Sequence, residues 1–214
     1  MTSLPAKPHR PADRLIVYID GFNLYHGMHD ASGRSALWID FVQLAKLLRP
    51  RSRLVAVKYF TAPVLDDPGG LSRQAHHQAA LLAKYPTLFE VTQGRYQTKT
   101  VTCFKCNAPR QVREEKETDV NIAVSLVSDA AQRHMDAALL ISADSDLAPA
   151  VRMAKNLQQN TFIAAAFPPE RYSNELKALM PASFQIGRDR VRKAQLPPSF
   201  SVGSTTFNKP TKWA

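Results

Sequence analysis

Short apolar runs alternate with helical spacings along most of this chain, and that alternation restricts its fold more than any other feature. Leu15 to Ile19 is an apolar run ended by Asp20-Gly21, which predicts a buried strand, and Trp38 to Leu48 has helical spacing after a start at Ile39 and Asp40. Leu54 to Phe60 predicts a second strand. Leu71 to Lys84, rich in Ala and Gln, predicts a helix stopped near Pro86, and Leu88 to Val91 a third strand. From Lys116 to Ala131 the residues Val120, Ala123, Val124, Val127 and Ala131 fall on one helical face, which predicts that this face is the buried one. Ala137 to Ile141 returns to a strand, Leu147 to Leu157 to a helix, Thr161 to Phe167 to a strand, and Tyr172 to Met180 to a last helix before Pro181. Strands separated by helices imply βαβ units. The expected fold class is therefore α/β, a three-layer α/β/α sandwich with a mostly parallel central sheet.

The ordered domain is expected over residues 14–188. Residues 1–13 are polar and broken by proline, with no apolar run of the kind a secretory signal needs, so a disordered N-terminal tail is expected. Residues 189–214 carry Arg190, Arg192, Lys193, Lys209 and Lys212 among Pro, Ser, Thr and Gly, which predicts a basic flexible C-terminal tail. Between about 93 and 113 the periodicity lapses into alternating Thr, Val and Lys around two cysteines, as in a hairpin excursion. No segment is apolar enough to span a membrane. Two cysteines three residues apart make no disulfide framework, so a reducing, cytoplasmic setting is expected.

Lys and Arg outnumber Asp and Glu by 28 to 18, a net charge of +10. That excess suits a polyanionic partner such as RNA, DNA or an acidic membrane surface, although solubility alone also accounts for it. Hydrophobic content of 44% leaves enough apolar surface for a proper core.

In an open parallel sheet, ligands collect beyond the carboxyl ends of the strands, where strand order reverses. Asp20 directly follows one predicted strand, and Asp144 follows another after only Ser142 and Ala143, so two strands deliver carboxylates to one edge. Asp146 opens the next helix, where it serves equally well as a cap for backbone amides. Asp119 is spaced four residues from Ala123 and eight from Val127, which points it toward the sheet edge, although acidic residues are also favoured in any first helical turn. Carboxylates about 4 Å apart repel by roughly 4 kcal/mol per pair at an effective dielectric of 20, so such a cluster calls for a cation. Oxygen ligands with few histidines nearby favour Mg²⁺ or Mn²⁺ over zinc.

The strings IDGFNLYH (19–26), EEKETDVNIAV (114–124) and LLISADSDLAPAV (139–151) resemble, in order, the three motifs of the NYN domain, a relative of the PIN-domain nucleases. The likeness extends over about residues 14–187. It implies a Rossmann-like, PIN-like fold and a Mg²⁺- or Mn²⁺-dependent ribonuclease, with Asp20, Asp119, Asp144 and Asp146 as the catalytic, metal-binding carboxylates. Asn23 falls at the family's asparagine position, where it orients Asp20 or a water, or simply caps a helix. Ser142 is expected to hold Asp144 or to touch substrate. Lys116 is expected either to contact a substrate phosphate or to be a solvated charge beside three glutamates. Where relatives often carry glycine, this chain has Ala143, which stiffens the turn slightly.

Cys103-Phe104-Lys105-Cys106 offers half of a zinc ribbon, because structural Zn²⁺ takes four ligands and the chain has two thiols. Completion would need His76, His77 or a second subunit, so structural zinc is the lesser expectation and the segment is expected to be peripheral. The competing function is a non-cleaving RNA-binding or regulatory module, but clustered carboxylates oppose RNA and a pure binder has no use for them. A haloacid-dehalogenase-like phosphatase would need an aspartate at position 22, which is Phe22. The expected partner is RNA, and a homo-oligomer is compatible with the sequence.

Overall fold

The computed structural model describes residues 12–213. The elements run β1 (Arg14–Asp20), α1 (Gly21–Ser32), α2 (Phe41–Leu48), β2 (Arg53–Thr61), α3 (Pro68–Lys84), β3 (Phe89–Gln93), β4 (Arg95–Thr102) and β5 (Pro109–Lys116). They continue with α4 (Thr118–Ala131), β6 (Ala137–Ile141), α5 (Ala148–Leu157), β7 (Phe162–Phe167), α6 (Asn174–Leu179), β8 (Phe184–Gln185), α7 (Arg188–Lys193), β9 (Ser199–Val202) and β10 (Thr205–Asn208). Six strands form one parallel sheet in the order β3-β2-β1-β6-β7-β8, flanked by helices on both faces as the sequence predicts. None of the described helices is long and apolar enough to cross a membrane.

The two faces follow from the period of two along the strands. Leu15, Val17 and Ile19 of β1 join Leu139 and Ile141 of β6 in a core beneath α1, α2 and α3, while Ile16, Tyr18 and Leu140 face a second core beneath α4, α5 and α6. Central strands buried on both sides read as continuous apolar runs, which is why they were legible.

Helix α4 packs on a different face from the one expected. Ile122, Leu126, Asp129 and Ala130 are buried, whereas Val120 and Val124 are each 62% exposed. The reason lies in polar groups the helix satisfies underneath: buried Asp129 accepts hydrogen bonds from the Tyr18 hydroxyl at 2.6 Å and from Lys58 Nζ at 2.7 Å, tying α4 to β1 and β2. Ala123 and Val127 lie at the margin of that core, which leaves Asp119 at the boundary between core and sheet edge. Asp129→Ala would leave a buried phenol and an ammonium without their acceptor, and is expected to cost about 3 kcal/mol. Urea denaturation measures it; a loss under about 1 kcal/mol, the size of an ordinary substitution, would mean apolar packing alone holds α4.

The C-terminal segment is not a flexible tail. Helix α7, the β9–β10 hairpin and a final 3₁₀ turn at Thr211–Trp213 fold back onto α2 and α3, burying Val191, Ala194, Leu196, Phe207 and Trp213. Backbone bonds from Asp40 to Ala194 and from Leu196 to Trp38 fix the docking, and the Trp38 indole N–H donates to the Pro197 carbonyl at 2.8 Å. Its cations are largely engaged. Arg190 donates to the Leu47 carbonyl, and Arg192 and Lys193 pair with Asp189. Most of the expected N-terminal tail lies outside the described residues.

Candidate acidic metal centre

Strands β1 and β6 are parallel neighbours, with Ile19 beside Ile141, and the chain leaves them in opposite directions across the sheet. Their carboxyl ends therefore frame the crevice at which such sheets bind ligands. Gly21 is required there: a Cβ would come within 2.6 Å of the Phe60 carbonyl of β2, so only glycine lets α1 start this close to the sheet.

Asp20 ends β1 and caps α1. Its Oδ1 accepts from the Asn23 backbone N–H at 3.0 Å and its Oδ2 from the Ser142 hydroxyl at 2.9 Å. Ser142 Oγ in turn accepts from the Asp144 N–H at 3.0 Å, and Asn23 Oδ1 from the Ala143 N–H at 3.1 Å. These four bonds clamp the two strand ends together. Asn23 and Ser142 thus position carboxylates, and Ser142, fully buried with both roles of its hydroxyl used, is not placed to touch a substrate. Asp119, in the first turn of α4, completes a trio: Asp20, Asp119 and Asp144 each present an oxygen, all within 4.8 Å of one another.

Electrostatics mark the trio as uncompensated. Burial pushes Asp20 above its usual range, against the pull of its hydrogen bonds. Asp119 is pushed up to about 6, first by desolvation and then by Asp20, Asp144, Glu115 and Asp146. A carboxyl whose folded value exceeds its unfolded value binds more protons folded than unfolded, so its contribution to stability is fullest in acid and is lost as pH rises from about 3.8 to 6. In chelator, wild-type protein is therefore expected to lose stability relative to Asp119→Asn across that window, with the gap closed by a divalent cation. Equal pH profiles for the two proteins in urea melts would contradict it.

The carboxylate geometry agrees with a comparison to known families: the NYN domain model matches residues 14–184. The chain belongs to the NYN domain family. With it come the PIN-like nucleases, to which the three-aspartate cluster conforms. A curated relative of this NYN domain is the 6-hydroxy-3-succinoylpyridine 3-monooxygenase HspA of Pseudomonas putida, 27% identical over 175 residues, or 66% of this chain. The chain spans 55% of that protein's length. A solved structure of a protein of unknown function from Vibrio parahaemolyticus superposes with a TM-score of 0.57 at 21% identity, covering 86% of this chain and 98% of that one; it supports the fold.

Around the trio, this NYN domain forms an open cavity of about 320 Å³ that also draws on Phe22, Asn23, His26, Glu115, Thr118 and Arg171. Two expected residues are elsewhere. Asp146 is exposed outside the trio, donating its backbone N–H to Asp144 Oδ1 at 2.9 Å, and Lys116 pairs with Glu114 at 3.1 Å. The carboxylate that lines the cavity instead is Glu115, which accepts from the Thr118 backbone and hydroxyl and so caps α4. In the sequence it was hidden among three glutamates, and its place opposite Tyr96 shows only once the hairpin has formed. Arg171, at the far wall, is paired with Asp30 at 2.6 Å while its buried Nε has no acceptor. Nothing local in the sequence set it apart.

A second cavity of about 380 Å³ shares Phe22 and His26 with the first and is walled by Tyr25, Phe41, Tyr59, Tyr96 and Trp213 among others. The histidines considered for zinc do not reach the cysteines. His76 stacks on Trp38 and bonds the Asn208 carbonyl, and buried His77, held down to about 4 by desolvation, donates to the Ile39 carbonyl at 2.7 Å.

Proposed function

We propose that this NYN domain is a metal-dependent endoribonuclease that hydrolyses RNA phosphodiester bonds at the Asp20–Asp119–Asp144 centre. The observation that carries the reading is the convergence of three carboxylates from three separate parts of the chain, none of them in an ion pair among the described residues, in a chain of net charge +10. The donor set fits a hard divalent ion. All three donors are carboxylate oxygens, which suits Mg²⁺ or Mn²⁺ better than zinc. When bound, such an ion lowers the pKa of water and offsets charge on phosphoryl oxygens.

The chain's own groups supply the rest. Ser142 and Asn23 hold Asp20 and the backbone before Asp144 in register, so the carboxylates meet the substrate preorganised. Asp146 adds charge at one remove, as its effect on Asp119 indicates. Arg171, whose side chain lines the cavity, is suited to a phosphate oxygen. The adjoining aromatic cavity is suited to an unstacked base, since base–aromatic stacking accepts any base.

The test is incubation with a mixed RNA pool in Mg²⁺, in Mn²⁺ and in EDTA, with the cleaved ends mapped. Cleavage in the metal arms alone supports the reading. RNA binding without cleavage in any arm would favour the non-cleaving module. A second reading draws on the aromatic cavity and the curated relative together: hydroxylation of a small aromatic ring. Turnover of a hydroxypyridine with dioxygen and a reductant, and none of RNA, would establish it instead.

A further inference from the structure

The hairpin of β4 and β5 carries a feature that the acidic centre does not use. Its strands pair out to Thr102 and Pro109, and the intervening turn holds Cys103 and Cys106, both exposed and free. The two thiols stand three residues apart in this one tight turn. The Cys103 N–H donates to the Ala108 carbonyl at 2.9 Å and the Asn107 N–H to the Cys103 carbonyl at 2.9 Å. Asn107 closes the turn at φ 54°, in the left-handed region that asparagine tolerates better than most residues. Two exposed thiols on one hydrogen-bonded turn form a knuckle suited to thiolate coordination of a soft divalent metal.

We propose that this tip is half of a structural Zn²⁺ site, completed by the same tip of a second copy of the chain. Tetrahedral zinc takes four ligands, and one chain has only these two thiols. The histidines that would complete it internally are committed to the Ile39 and Asn208 carbonyls. A two-fold axis through the ion supplies two more sulfurs at no cost in new sequence, in the isologous arrangement usual for dimers. Charge agrees with this partner. Zinc with four thiolates carries a net −2, and from Gln97 to Arg113 the chain has Lys99, Lys105, Arg110 and Arg113 with no Asp or Glu. Lys99, Lys105 and Arg110 form no ion pair among the described residues, so two tips bring cations to an anionic centre. Phe104, wholly exposed between the cysteines, gives each tip an apolar side chain to bury against its counterpart.

The experiment uses the full chain, stripped with chelator under reductant and titrated with Zn²⁺ or Co²⁺. The expected result is one thiolate-bound metal per two chains, a doubling of the mass by light scattering, and sulfur-to-cobalt charge-transfer absorption. Metal held at the aspartates gives no such absorption, which separates the two sites. Cys103→Ser/Cys106→Ser is expected to lose the absorption and stay monomeric while keeping its melting temperature and its metal-dependent activity. A monomer at all metal concentrations, one thiolate-bound metal per chain, or a Cys103–Cys106 disulfide that forms in preference to metal binding would overturn the proposal.

Discussion

Asp144→Asn is expected to lose metal-dependent RNA cleavage by on the order of a thousandfold, because a ligand worth several kcal/mol of transition-state charge stabilisation goes and each ~1.4 kcal/mol is a tenfold change. The fold is expected to survive. Asn retains an Oδ1 to accept the Asp146 N–H, so the 3₁₀ turn at Ser145–Leu147 keeps its cap, and one like-charge contact with Asp20 and Asp119 disappears. Metal-free Asp144→Asn should therefore melt at or above the wild-type temperature, whereas Mn²⁺ should raise only the wild type. Asp119→Asn should behave in the same way. Asp20→Asn should not: an amide N–H₂ in place of Oδ2 leaves the buried Ser142 hydroxyl hydrogen without its acceptor, so stability falls along with activity. Melting with and without Mn²⁺, run beside single-turnover cleavage, separates these cases. An Asp144→Asn enzyme that cleaves normally would end the nuclease assignment of this centre.

Trp213→Ala is expected to destabilise the domain by about 3–5 kcal/mol, as for other buried aromatics truncated to alanine. Trp213 is 8% exposed and packs against Trp38 and against the edge of His77, with ring centroids 6.3 Å and 5.8 Å apart. Removing residues 205–214 should do more, since β9 loses its partner and Phe207 leaves the cluster as well. His77 offers an independent readout. Its value of about 4 rests on desolvation, so admitting water is expected to move it back toward 6.5, visible in NMR titration of its ring. A truncated chain with wild-type stability would mean that the segment merely lies on the surface.

The two variants mark the line between what the sequence specifies alone and what it specifies only once folded. Central strands were legible because strands buried on both faces are uninterrupted apolar runs, and Asp20 and Asp144 were legible because each directly follows such a run. Their meeting at one edge follows from the βαβ alternation. The carboxylate trio was thus largely written in local pattern. Other features depend on partners distant in the chain. Helix α4 turned its Ile122–Leu126 face inward because Tyr18 and Lys58, more than sixty residues earlier, needed Asp129 as acceptor. Glu115 and Arg171 reached the cavity through the hairpin register and the turn after β7, neither of which leaves a local period.

The C-terminal segment is the clearest case. Val191, Leu196, Phe207 and Trp213 are isolated apolar residues among basic and turn-forming ones, so no window of sequence distinguishes them from a solvated tail. They order because Trp38 and Ile39 already present an apolar shelf and unpaired backbone groups across the domain, reached through the Asp40–Ala194 and Trp38–Leu196 bonds. By itself the sequence determined the alternating layers and the carboxylates at the strand ends, because periodicity and strand termini are local. Only the tertiary structure decided which helix face is buried, which further acid lines the cavity and whether the last residues fold, because each depends on a polar or apolar partner that the chain meets only after collapse.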